Sequence, residues 1–127
     1  MRRLIFGGKT GKMYKYEWYW EKGLCDAEII DIKKEDYNYD YRQRCPIRNM
    51  FEIVLDAKGA MYDTLVKSIR FYNYKIVRGG EDLLHTWWYD DEITEQGGRK
   101  QLKLTSRKST DKFCELILVF DKAEIIR

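Results

Sequence analysis

The chain has 127 residues, 44% hydrophobic and 15% aromatic, with 24 basic side chains against 21 acidic ones and a formal net charge of +3. That length fits a single domain over 1–127. The apolar share excludes a disordered chain, and the near balance of charge excludes a strong general drive toward polyanions. No apolar run approaches the roughly 20 residues of a spanning helix, so no membrane partner is expected. Leu4-Ile5-Phe6, after Arg2-Arg3, is too short for a signal peptide. Cys25, Cys45 and Cys114 are odd in number and widely spaced, with no C-x-x-C, which points to thiols in a reducing compartment.

In chain order, 2–6 reads as a short strand closed by Gly7-Gly8, and 12–20 as the next strand. In 12–20, Tyr14, Tyr16, Trp18 and Trp20 share one face, opposite Met13, Lys15, Glu17 and Tyr19. That aromatic face is either a core face or a surface for stacking or for a partner subunit. A third strand, 24–33, sets Cys25, Ala27, Ile29 and Asp31 against Asp26, Glu28, Ile30 and Ile32. The segment 34–49, KEDYNYDYRQRCPIRN, is long, irregular and mixed in charge, and it carries the single proline, Pro46. Segments of this kind are usually functional or mobile loops, although a short extended or helical piece could lie within it.

The stretch 51–77 organises the rest. Phe51, Ile53 and Leu55 alternate with polar or smaller neighbours as in a half-buried strand. Met61, Leu65 and Ile69 fall at i, i+4 and i+8 and predict one short helix near 60–69, held by packing on a sheet. From Arg70 the period returns to two, with Phe71, Asn73, Lys75 and Val77 opposite Arg70, Tyr72, Tyr74 and Ile76. Gly79-Gly80 offers a hairpin turn into a strand at 82–89, where His85, Trp87 and Tyr89 share a face. Asp90-Asp91-Glu92 reads as a solvated interruption, Gln96-Gly97-Gly98 as a turn, and 100–106 as a strand with Leu102 and Leu104 inward. The continuously apolar centre of 112–120 predicts a strand covered on both faces, with Ile117 and Val119 in the core, and 123–127 is a last strand or a tail. The expected fold is mainly β (α+β), an antiparallel sandwich or partial barrel of about eight strands with one short helix.

No motif carries catalysis. Asp36 to Asp40 opens like a calcium loop, but Tyr41 stands where glycine is needed and Ile47 where a bidentate Glu is needed. Adjacent carboxylates in Asp90-Asp91-Glu92 point to alternate faces of an extended chain. His85, the sole histidine, reads as a half-buried strand residue, and 7–12 lacks phosphate-loop spacing. No catalytic residue, metal or cofactor is therefore expected. Arg99, Lys100, Lys103, Arg107, Lys108 and Lys112 concentrate positive charge. They form either the charged outside of a sheet edge or, beside the aromatic strand, a single-strand nucleic-acid surface.

The strands flanking 61–69, followed by RFYNYKIV, WWYDDE and RKQLKLTS, resemble small β-rich tail, neck and baseplate proteins of tailed bacteriophages. The resemblance implies symmetric ring assembly, no catalysis and no cofactor, in a virion or the host cytoplasm. The expected function is that of a non-enzymatic structural subunit contacting other protein subunits, as a homo-oligomer or ring. The alternative is an OB-like module binding single-stranded nucleic acid, with an enzyme of dispersed site third. Tyr37, Tyr39 and Tyr41 would face one way if extended, and Arg42, Arg44 and Arg48 follow to pair with a neighbour's carboxylates. These residues, with Trp18 and Trp20, are the expected interaction set.

Overall fold

The computed structural model describes residues 24–35, 38–40, 42, 44–47, 49–60 and 65–127. The expected strands at 2–6 and 12–20 lie outside these residues. The described strands are β1 (Glu28–Glu35), β2 (Asn38–Asp40), β3 (Cys45–Ile47), β4 (Met50–Asp56), β5 (Ser68–Tyr72), β6 (Lys75–Gly79), β7 (Trp87–Gln96), β8 (Arg99–Arg107), β9 (Phe113–Phe120) and β10 (Lys122–Ile126). Eight of them form one open antiparallel sheet in the order β10-β5-β4-β1-β7-β8-β9-β6, and β2 and β3 pair separately.

A bent ribbon explains that order. β5 and β6 are nearly one strand, broken at Asn73-Tyr74, and β9 and β10 are nearly one strand, broken at Asp121. β5 pairs with β10 and β6 with β9, so the ribbon stays paired through the bend while its halves join opposite ends of the sheet. A polar pin holds the bend and satisfies backbone groups that the broken ladder leaves over. Asn73, at φ 54, donates its N–H to Asn49 O (2.8 Å), and the Tyr74 N–H donates to Asn49 Oδ1 (3.0 Å). The Asp121 N–H donates to Tyr72 O (3.0 Å), while Arg99 Nε and Lys100 Nζ donate to Asp121 oxygens at 3.0 and 2.9 Å.

The breaks also change which side chains face inward. Ile69 and Phe71 are buried in β5, but beyond the bend Tyr74 and Ile76 pack on the core and Val77 is 55% exposed. The uninterrupted alternation expected from Phe71 to Val77 is therefore wrong from Asn73 onward. A bulge in β1 between Ile29 and Asp31 has the same effect: Ile29 is buried, Ile30 is exposed, and Ile32 packs on the core in place of Asp31.

No helix occurs among the described residues. Of the helix expected near 60–69, positions 61–64 lie outside the described residues and Ser68 and Ile69 belong to β5. Leu65, placed on its buried face, is 76% exposed, and Val66 is buried instead. The backbone of Lys67 is already committed to the sheet, accepting from the Leu55 N–H and donating to Ile126 O. Gly79-Gly80 does not close a hairpin, because β6 pairs with β9 rather than β7. Gly97-Gly98 does close one between Gln96 and Arg99, with φ 59 and 81, the positive values that a two-residue turn of matching twist needs.

One core draws on every strand of the large sheet. It includes Phe51, Ile53, Ile69 and Phe71 from one half and Trp88, Leu104, Leu118 and Phe120 from the other, so the sheet curves around it. Phe71 and Phe120 meet edge to face across the core, with ring centroids 4.9 Å apart. In β9 the buried residues are Leu116, Leu118 and Phe120, whereas Ile117 and Val119 lie half-buried on the outer face. β9 is thus covered on one face, which corrects the expectation for Ile117 and Val119. Leu118→Ala should cost about 2–5 kcal/mol in urea unfolding and Ile117→Ala about 1 or less. Equal losses would mean that the outer face is also packed.

Two further expectations are corrected. Asp90, Asp91 and Glu92 lie within β7, opposite Thr105, Leu104 and Lys103, and Asp91 is 1% exposed. Asp91 enters the core because the buried Trp88 indole donates to it, Nε1 to Oδ2 at 2.7 Å. His85 is not half-buried in a strand: it is exposed before β7 at φ 63, with Nδ1 3.4 Å from Glu28 Oε2.

Candidate protein interface

The outer face of β7, β8 and β9 carries the most distinctive surface. A bulge between Trp88 and Asp90 makes Tyr89 an extra residue in β7. Trp88 is buried, so Trp87 and Tyr89 on either side of it emerge on the outer face, Trp87 half-buried and Tyr89 50% exposed. Phe113 at the start of β9 is 53% exposed and meets Tyr89 edge to face at 4.9 Å. Two large rings packed on each other in water, with no core behind their exposed sides, mark an interaction surface more strongly than scattered apolar residues do.

The pairing register extends this cluster into a row across the sheet. Asp56 pairs with Glu28, Glu28 with Trp87, Trp87 with Arg107, and Arg107 with Phe113. Further along the strands a parallel row runs Glu92, Lys103, Ile117 and Arg78. In these two rows the acidic residues lie on β4, β1 and β7 and the basic ones on β8 and β6, while the row between them, Asp90, Thr105 and Glu115, has a carboxylate at each end.

The positive charge between 99 and 112 is largely neutralised within the molecule. Arg107 lies 3.2 Å from Asp111 and 3.8 Å from Asp26, Lys103 lies 3.6 Å from Glu115, Lys108 lies 3.4 Å from Asp82, and Arg99 lies 3.0 Å from Asp121. Arg78 also pairs with Glu115. The hydrogen bond from Arg78, then its charge and that of Lys103, hold the Glu115 carboxyl below the usual glutamate range despite some burial. A folded-state pKa below the unfolded one gives stability that is present above the ordinary glutamate pKa and lost as pH falls through the folded value. Arg78→Ala should therefore remove part of the acid-side loss of stability, by less than about 1 kcal/mol because both groups meet solvent. Unfolding midpoints measured from neutral to acidic pH would check this, and parallel curves for the two proteins would contradict it.

A second polar cluster spans β4, β5 and β10. Glu52, 6% exposed, accepts from Ser68 Oγ at 2.6 Å and Arg70 Nε at 3.2 Å, and Glu124 accepts from Tyr72 Oη at 2.7 Å. Burial first, then the bond to Glu124, pushes the Tyr72 phenol above its usual pKa. The donors and carboxylates here satisfy one another, which suits a structural tie better than a reactive site. Among the described residues no group of three or more His, Cys, Asp and Glu could hold a metal ion.

The expected interaction set fares differently. Tyr39 lies in β2, opposite Pro46 of β3, and Arg42 and Arg44 are exposed in the connection between them, Arg44 at φ 54. Trp18, Trp20, Tyr37, Tyr41 and Arg48 lie outside the described residues. Sequence reasoning missed Phe113 and the role of Tyr89, although the shared face of Trp87 and Tyr89 was readable. No family model, curated protein or solved structure matches the chain, so the site is read from its own geometry.

Proposed function

We propose that this chain is a non-enzymatic structural subunit, acting through protein–protein interfaces within a virion assembly of the phage tail, neck or baseplate kind. One observation carries the reading: an exposed, mutually packed aromatic pair, Tyr89 and Phe113, lies on a sheet face whose cations are already matched to carboxylates. Aromatic anchors suit a protein partner. A single-stranded nucleic acid would need those cations for its phosphates, and each would first have to leave an internal partner. The virion setting rests on the resemblance of RFYNYKIV, WWYDDE and RKQLKLTS to tail, neck and baseplate proteins.

The test is sedimentation of the purified protein at low salt, alone and with a single-stranded oligonucleotide. Association that is independent of the oligonucleotide is the expected result. A monomer that binds the oligonucleotide with steep salt dependence would overturn the proposal in favour of the nucleic-acid module.

A further inference from the structure

We draw no further inference here: the strongest candidate, the exposed Tyr89–Phe113 pair on the outer face of β7, β8 and β9, belongs to the site already described, and nothing in the structure shows what covers it.

Discussion

Trp88→Ala should lower the free energy of unfolding by about 3–5 kcal/mol, measured by urea titration. Trp88 is 1% exposed and is the largest fully buried side chain among the described residues. Truncation opens a cavity that the surrounding sheet can close only in part. The indole also donates to Asp91, itself 1% exposed, so its loss takes a donor from a buried carboxylate. The site has little freedom to relax. The Trp88 carbonyl accepts from the Asp26 N–H and its own N–H donates to Ala27 O, both at the narrow joint where β1 meets β7. Trp88→Phe separates the two contributions: it keeps most of the volume and removes the donor, so its cost should fall clearly below that of alanine. A loss under about 1 kcal/mol for Trp88→Ala would show that this tryptophan is not in the core.

Gly79→Ala should be similarly severe, at about 3 kcal/mol or more, for a different reason. The residue sits at φ 78, a conformation that side-chain-bearing residues rarely adopt, and an added Cβ would lie 1.9 Å from the carbonyl oxygen of Glu115. That oxygen belongs to the backbone of β9, so relief requires moving a strand. Gly97 provides the control: it also has positive φ, at 59°, but nothing lies within 4 Å of an added Cβ. Gly97→Ala should therefore cost about 1 kcal/mol, the backbone conformation alone. Equal losses at both glycines in thermal or urea unfolding would mean that β6 moves away from β9 easily.

The parts of the fold that were legible in the sequence are those where one rule holds without interruption. Phe51, Ile53 and Leu55 alternate into the core, Leu102 and Leu104 point inward, and Gly97-Gly98 turns the β7–β8 hairpin. What was hidden is where the rule restarts. The bulges near Ile30, Val77 and Tyr89 and the bend at Asn73 each shift the phase of a strand, and one residue of shift exchanges its two faces. The helix expected at 60–69 failed for a related reason. A spacing of four is compatible with a helix or a strand, and it could not show that Leu65 lies exposed ahead of β5 while Ile69 lies buried within it. In the candidate site, Trp87 and Tyr89 were placed on a common face, but Phe113 joins them only through the β8 ladder. The neutralisation of Arg107 and Lys108 by Asp26 and Asp82 likewise depends on contacts distant along the chain.

The bent ribbon also sets a timetable. The β7–β8 hairpin is local and turns on two glycines, so it can form early. β6 cannot follow its own neighbour in sequence. Among the described strands its partner is β9, which lies beyond the whole of that hairpin, and β5 similarly waits for β10 on one side. Of this one continuous stretch, β5 thus remains half-paired, on β4 alone, and β6 wholly unpaired until the chain around 113–126 returns. Closing such long loops before any contact rewards them is slow, and contact-rich β topologies of this sort fold in milliseconds to seconds. During that interval the unpaired edges of β5 and β6 are open to other chains, so crowding of nascent copies favours mispairing before the ribbon closes.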